Sequence, residues 1–286
     1  IEAERNLRKR IQHDTEVERE VSRLRTRHDA SIHFQSELDA DATPVLEMLT
    51  LADYRSNPSA APVDLIEGVM KDNGLTIMLG PSGSGKSTVA LQMIYSLATG
   101  DEWMGQIAKP LMGAFGVVSY DMDGSMVMDW MDGYPNMDPT KVSIVNAYKR
   151  GNPLGVPAMR AQIASAWRTM GVEVIVIDSF SASFFGHDQN DAAAVMSHYR
   201  DLKLFALTEC EARALVVITH STQASPFKAR GSTVHHDVAD SIVGMEGTDS
   251  EPRHLRMVKY RQARGQRQMD PVVLGIPDPA THLVNI

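Results

Sequence analysis

The feature that most limits the fold of this chain is the run of residues 80–87, GPSGSGKS, which matches the phosphate-binding pattern G-x-x-x-x-G-K-[ST] at every fixed position. Before it, residues 75–79 form a short apolar run with strand character, and after it residues 88–97 have the apolar spacing of a helix. A loop between a strand and a helix is the context that this pattern requires. The sequence therefore predicts a P-loop.

The P-loop predicts a site for the phosphates of a nucleotide. Its three glycines allow backbone N–H groups to turn towards a phosphate, and the dipole of the following helix favours the negative charge. Lys86 is expected to reach the β- and γ-phosphates, and Ser87 to place its hydroxyl on Mg²⁺. The residues expected to bind the nucleotide are Gly80, Pro81, Ser82, Gly83, Ser84, Gly85, Lys86, Ser87 and Thr88.

A near-continuous β-branched run, residues 172–179, reaches an acid at Asp178 and is typical of a buried parallel strand. A carboxylate at such a strand end can hold Mg²⁺ through water and complete the octahedral shell that Ser87 and the nucleotide begin. Because a P-loop lies upstream, we expect Asp178 to be a Walker B aspartate. Ser87 and Asp178 are therefore the predicted metal site.

Two further strands are predicted to end in polar residues. Residues 114–120 lead to Asp121 and Asp123, and residues 214–219 deliver His220. Ligands bind at the carboxyl ends of the strands in an open parallel sheet, so we expect these side chains to face the same edge as the P-loop. The alternatives are a solvated turn for the two aspartates and a structural role for His220.

The remaining pattern alternates between strands and helices. Further strands are predicted at residues 142–147, 241–245, 255–260 and 271–276, and helices at residues 158–170 and 192–206. Residues 180–191 are rich in Ser, Phe and small residues and are predicted to be a loop. Residues 221–232 show neither a helical nor a strand period and are predicted to be a mobile loop.

The N-terminal part differs in composition. Residues 2–33 are densely charged and contain neither Gly nor Pro. Their thin apolar stripe predicts a long helix that docks on a neighbouring subunit or on its own chain, and a solvated disordered arm is the alternative. Residues 39–62 shift to Asp, Ala, Pro and Ser and are predicted to be a linker or an irregular segment. We therefore expect a helical arm and linker over residues 1–61 and a core domain over residues 62–286.

The charge balance limits the classes of partner. Lys and Arg total 28 against 36 Asp and Glu, so the net charge is 28 − 36 = −8, which argues against a protein that coats nucleic acid nonspecifically. Residues 253–267 nevertheless carry only basic charges, either as a local basic patch or as a solvated face. The single cysteine, Cys210, excludes an intramolecular disulfide, and no apolar run approaches the roughly 18 residues of a membrane span. We expect a cytoplasmic protein without membrane contact.

With Asp121, Asp178 and His220 following the P-loop in this order, residues 62–286 resemble the RecA-like ATPase core. Within that superfamily they resemble in particular the RepA-type and DnaB-type hexameric helicases, with the KaiC and RadA branch nearby. The stretches that carry the resemblance are LIEG at residues 65–68, VVSYDM at 117–122, QND at 189–191, THS at 219–221, RGS at 230–232 and KYR at 259–261.

The resemblance implies roles for individual residues. Asp121 stands at the position of the catalytic glutamate that orients the attacking water. Because Asp is one methylene shorter, three alternatives stay open: the water is approached differently, Asp123 shares the task, or hydrolysis is slow. His220 stands where the DnaB branch usually has Gln, and it is similar to the RepA branch. Lys259 and Arg261 resemble the Lys-x-Arg of RecA-like proteins that reaches across a subunit boundary.

The resemblance also implies a fold and an activity. The fold is a three-layer α/β sandwich on a mostly parallel sheet, with C-terminal antiparallel strands and an N-terminal helical arm. The activity is the hydrolysis of ATP with Mg²⁺ in a homo-oligomeric, hexameric ring, and we expect a helicase that translocates on single-stranded DNA. The alternatives are a recombination or regulatory ATPase of the RecA or KaiC kind and a nucleotide-gated scaffold with weak hydrolysis.

In such a ring the segments that follow Asp178 and His220 face the DNA channel. Lys228 and Arg230 are the expected DNA contacts, because they can neutralise phosphates without an acid nearby in sequence. Arg230 could instead fix the base of its loop. Residues 184–185, two adjacent phenylalanines, either stack on bases or anchor their loop to the core.

Overall fold

The computed structural model describes residues 50–56, 63–185, 188–222, 225–231, 233–247, 253–261, 267–275 and 283–284. The chain divides into two units, Ile1–Ala60 and Ala61–Ile286. In the first unit, helix α1 spans Leu51–Ser56, inside the segment that composition predicts to be a linker. The predicted charged arm lies outside the described residues.

The second unit is organised around a sheet of nine strands within the described part of the chain. Its order is β11-β10-β9-β3-β7-β6-β4-β5, and β8 pairs with β7 outside this path. The strands of this sheet are β3 (Gly74–Gly80), β4 (Ala114–Ser119), β5 (Val142–Asn146), β6 (Val172–Asp178), β7 (Ala214–Thr222), β8 (Ser225–Ala229), β9 (Ser241–Glu246), β10 (Arg253–Tyr260) and β11 (Val272–Leu274). Two short strands, β1 (Asp64–Ile66) and β2 (Met70–Lys71), form a separate antiparallel pair before β3.

Strands β9, β3, β7, β6, β4 and β5 run parallel, whereas β10 and β11 continue the sheet in antiparallel pairs. The described helices of this unit are α2 (Lys86–Thr99), α3 (Gly124–Asp132), α4 (Pro157–Met170), α5 (Phe180–Ser183), α6 (Ala192–Lys203) and α7 (Val234–Val238). Helix α6 continues as a π-helical turn over Leu204–Glu209. The C-cap of α4 is Gly171, with a φ of +66°, as its place after the predicted helix suggests.

Two apolar clusters, one on each face of the sheet, form the core. In one cluster, residues of α2 and α3 pack with strand residues such as Met78 and Val176. In the other, residues of α4 and α6 pack with strand residues such as Ile77 and Ile177. Alternate residues of a strand point to opposite faces, so both faces of the parallel strands are covered. The predicted three-layer α/β sandwich with antiparallel C-terminal strands is therefore confirmed. Among the described helices, none is both long and apolar enough to cross a membrane.

The prediction of a loop over residues 221–232 is wrong. Strand β7 runs on to Thr222, and β8 folds back against it in an antiparallel pairing. The short strand is fixed by tertiary packing, because a Cβ on Gly244 of β9 would lie 2.5 Å from Cδ1 of Phe227 in β8. Such packing leaves no hydrophobic period in the sequence. In the same way, the predicted loop over residues 180–191 begins with the helical turn α5, whose Phe180 is buried.

Candidate active site

The P-loop connects β3 to α2 through a turn that glycine makes possible. Gly85 is the N-cap of α2 and has a φ of +88°, a left-handed conformation that residues with a Cβ rarely adopt. The loop is closed from within, since the buried Ser84 hydroxyl donates a hydrogen bond of 2.9 Å to the carbonyl of Pro81. The result is a compact loop at the N-terminus of a 14-residue helix, which favours an anion.

Lys86 lies folded over this loop. Its Nζ donates a hydrogen bond of 2.6 Å to the carbonyl of Pro81, and the side chain is buried. Burial lowers the pKa of Lys86 to about 8, although the nearby carboxylates of Asp178 and Asp121 raise it. A phosphate in the loop would give this ammonium a charged partner in place of a carbonyl.

Asp178 ends β6 and lies beside the start of α2. Burial raises the pKa of Asp178 to about 6, while a hydrogen bond from the Ser87 hydroxyl opposes the shift. The carboxylate thus shares a hydrogen bond with the residue predicted as its fellow metal ligand. A hydroxyl and a carboxylate oxygen are ligands that Mg²⁺ accepts, so these two residues fit an ion completed by water and phosphate oxygens.

Asp121 and His220 face each other at the ends of β4 and β7. His220 Nε2 lies 3.7 Å from Asp121 Oδ2, which is longer than a hydrogen bond and is an ion-pair contact only when the imidazole is protonated. His220 is the main cause that holds the pKa of Asp121 below its usual range, with the Ser179 hydroxyl and the Lys86 charge adding to the effect. Asp121 is therefore an ionised carboxylate next to Lys86, as a group that orients an attacking water needs to be.

Asp123 has a different task. Its carboxylate caps α3 by accepting hydrogen bonds from the Ser125 amide at 2.9 Å and the Ser125 hydroxyl at 2.7 Å. The amide of Asn146 donates a third hydrogen bond, at 3.3 Å. These bonds, led by that of the Ser125 side chain, lower the pKa of Asp123. Of the two aspartates left open by the sequence, the geometry favours Asp121 for the attacking water.

A cleft of about 330 Å³ lies beside the beginning of the P-loop. It is lined by Pro81, Ser82, His220, Ser221, Thr222 and Arg230. The Arg230 amide donates a hydrogen bond of 2.9 Å to the His220 carbonyl, which ties the end of β8 to the strand that carries His220. Arg230, predicted as a DNA contact, thus lies where it can also meet the phosphates of a nucleotide. Both Arg230 and Lys228 are exposed, and Lys228 lies on β8.

Lys259 and Arg261 lie away from the P-loop of their own chain. Tyr260 between them pairs with Ser241, which pairs with Thr76, four residues before Gly80 and so about 13 Å along the strand. Lys259 Nζ donates to the carbonyl of His236 in α7. Arg261 donates a hydrogen bond of 2.8 Å to the Asp237 carbonyl and lies 3.4 Å from the Asp240 carboxylate.

The structure also separates the basic run that the sequence suggests as one patch. The Arg256 guanidinium stacks on the Phe227 ring, with Cζ 3.4 Å from the ring centre. Arg253 instead lies at the P-loop, where Nη1 would be 3.3 Å from a Cβ on Gly85. Sequence reasoning missed this position, because only the pairing of β9 with both β3 and β10 brings the start of β10 to the P-loop edge.

The fold and this arrangement of a P-loop, a buried strand-end aspartate and a second carboxylate define a P-loop ATPase. A family model described as an AAA domain matches residues 41–225, more than half of the chain. The chain therefore belongs to this AAA domain family, whose members bind ATP and generally use Mg²⁺. No curated protein matches the chain.

Proposed function

We propose that this ATPase is a ring motor that acts on DNA, most similar in its work to the RepA-type and DnaB-type helicases. The observation that carries the proposal is the direct connection between the candidate active site and an exposed cation. His220 lies opposite Asp121, and the same strand folds at once into the β7–β8 hairpin, where Ser221 pairs with Ala229. Lys228, next to Ala229, is exposed.

In the proposed reaction, Lys86 binds the transferred phosphate and Asp121 orients the attacking water and accepts its proton. Ser87 and Asp178 would hold Mg²⁺, which would neutralise charge on the phosphates. Cleavage of the phosphate then changes the group that His220 contacts. The β7–β8 hairpin moves with His220, because the Arg230 amide is hydrogen-bonded to the His220 carbonyl. Lys228 transmits that movement to a DNA phosphate.

The structure divides the predicted DNA segment that follows Asp178. Phe184 is buried and stacks on Phe180, with ring centres 5.3 Å apart, so it anchors the segment to the core. Phe185 is 78% exposed and can stack on a base. We therefore include Phe185, but not Phe184, among the proposed DNA contacts.

The decisive experiment compares Lys228→Ala with Lys109→Ala, which removes the same charge from an exposed residue outside the hairpin. We expect Lys228→Ala to weaken binding of single-stranded DNA and to reduce its salt dependence by about one phosphate contact, with DNA-free ATPase unchanged. Lys109→Ala should change neither quantity. Equal DNA affinity and salt slope in both variants would remove the hairpin from the DNA site.

Two further assays separate the proposal from its alternatives. Stimulation of ATPase by single-stranded DNA is expected of a helicase and of a recombination ATPase, but not of a nucleotide-gated scaffold. Strand displacement on a forked duplex is expected of the helicase alone. An ATPase without any response to DNA would leave the regulatory ring or the scaffold as the function.

A further inference from the structure

The side of the P-loop opposite the His220 cleft is formed by the end of β9 and the start of β10. Gly80 lies against β9, since a Cβ there would be 2.7 Å from the Met245 carbonyl oxygen. Gly85 lies against both strands, with Met245 Cε 3.9 Å and Arg253 Nη1 3.3 Å from its Cβ position. The guanidinium is thus part of the wall of the loop.

The backbone position of Arg253 is fixed by the sheet. It is the first residue of β10 and pairs with Leu274 of β11, and the next residue, His254, pairs with Glu246 of β9. The side chain is only partly exposed. A guanidinium held in this way offers a fork of N–H donors that is suited to phosphate oxygens.

The charges of the inner site show why a further cation is useful. Lys86 contributes +1 and Asp121 and Asp178 contribute −1 each, so these three side chains sum to −1 when ionised. A nucleoside triphosphate with Mg²⁺ adds a charge of about −2, and a diphosphate with Mg²⁺ about −1. Cations at the rim of the loop therefore stabilise the loaded site.

We propose that Arg253 binds the α- and β-phosphates of the nucleotide held by the P-loop of its own chain. Arg253 lies at Gly85, where α2 begins, whereas His220 and Arg230 line the cleft at Pro81, where the loop begins. The phosphate that is cleaved belongs beside Asp121 and His220, at the other side of the loop. Arg253 therefore keeps its partner after hydrolysis and holds ADP as well as ATP.

This inference rests on the nucleotide site and not on the proposed action on DNA. It is tested by titrating the full-length protein, without DNA, with fluorescent ADP and with a fluorescent, non-hydrolysable ATP analogue. We expect Arg253→Ala to weaken both nucleotides by about tenfold or more, since charge-assisted hydrogen bonds are lost. Arg253→Lys should recover part of the affinity, because it restores the charge without the fork.

Arg256→Ala is the matched control. It removes the same charge from the same strand, but at a side chain that stacks on Phe227, and it should leave both affinities unchanged. A direct contact also predicts that the increase in melting temperature caused by ADP is smaller in Arg253→Ala than in the wild type.

Three outcomes would overturn the proposal. Wild-type ADP affinity in Arg253→Ala would remove the contact altogether. A loss for the ATP analogue alone would place Arg253 at the cleaved phosphate. An equal loss in Arg256→Ala would show that the strand, and not the guanidinium, matters. The absence of any DNA response would contradict the proposed motor function but not this contact.

Discussion

Lys86 is the buried cation of the site, and burial lowers its pKa to about 8 in the ligand-free protein. A bound phosphate raises this pKa again, so binding above pH 8 requires the uptake of a proton. The titration of Lys86 should therefore leave the affinity for ADP constant below pH 8. Above pH 8 the affinity should fall by up to about tenfold per pH unit. ADP titrations between pH 7 and 9.5 measure this slope.

Lys86→Met supplies the control for that slope. Its affinity should be low at every pH, and its profile above pH 8 should be flat apart from groups shared with the wild type. The interpretation is wrong if the wild-type profile is flat or if Lys86→Met keeps the same slope.

The titration of Asp178 makes the stability of the folded protein depend on pH. Burial raises its pKa from 3.8 to about 6, so the folded protein holds this proton more tightly than the unfolded chain. The group contributes stability below pH 3.8, and that contribution is lost as the pH rises through about 6. At pH 7 the buried charge therefore lowers the free energy of unfolding, with an upper bound of about 3 kcal/mol.

We expect Asp178→Asn to raise the free energy of unfolding of the ligand-free protein at pH 7, because an amide keeps the shape and can still accept from Ser87. The gain should shrink as the pH falls from about 6 towards 4, where the wild-type carboxyl also becomes neutral. Urea unfolding at pH 7 and pH 5 measures both values. A variant that is less stable than the wild type at pH 7 would show that the hydrogen bond of the charged group outweighs its burial.

At the scale of elements, the β7–β8 hairpin depends on one close approach. A Cβ on Gly244 would lie 2.5 Å from Phe227 Cδ1 and 2.7 Å from Val258 Cγ2, so Gly244→Ala must displace the Phe227 ring. We expect this variant to lower the free energy of unfolding by about 1–3 kcal/mol. Adding Phe227→Ala removes the clash with the ring and leaves only that with Val258, so the double variant should lose less stability than the sum of the two single ones.

Chemical denaturation of the four proteins in this cycle gives the coupling energy. Strict additivity would mean that the ring is not what Gly244 accommodates. The test isolates the packing that fixes β8, which is the feature that the sequence did not reveal.

The parallel strands were predictable because each is a short, mostly apolar run bounded by turns, as in residues 172–178. Helix α4 was predictable from local signals alone, a Pro at its start and a Gly after its end. The β8 strand was not, since Phe227 is held by residues of β9 and β10 that are distant in sequence. Local sequence signals therefore predict the parallel strands and α4, whereas β8 depends on tertiary packing that those signals do not contain.

The candidate site divides in the same way. Placing polar residues at parallel strand ends predicts that Asp121, Asp178 and His220 share an edge with the P-loop, and the structure has them there. Their roles in catalysis stay predictions. The position of Arg253 at the P-loop could not be predicted, because the sequence of a single strand does not determine which strands lie next to it in the sheet.

At the scale of the whole molecule, Lys259 and Arg261 are held away from their own P-loop, about 13 Å from it along the strand direction. Tyr260 between them donates to the buried Asp64 carboxylate, which also pairs with Lys71 at 3.2 Å. This network of buried side chains holds the end of β10 in place. A pair of cations fixed away from its own site suits the proposed ring, in which each subunit completes the site of its neighbour.

The proposed ring leads to a complementation experiment with two inactive variants. Lys86→Ala should abolish turnover by removing the phosphate-binding cation, and Arg261→Ala should reduce it by roughly 10³-fold if the guanidinium stabilises the transition state across the interface. In mixed rings, an interface is complete when an Arg261→Ala subunit supplies the P-loop and a Lys86→Ala subunit supplies the arginine. Random mixing at equal concentrations makes about a quarter of the interfaces complete.

ATPase activity should therefore reappear on mixing, up to about a quarter of the wild-type rate per subunit if each interface works independently. Exchange of subunits is verified by co-purification of two differently tagged variants, and each variant alone is the baseline. Mixed rings that form but stay inactive would show that Arg261 does not act across the interface. Full activity of Arg261→Ala alone, in an intact oligomer, would remove it from the reaction, because a transition-state contact cannot be lost without a loss of rate.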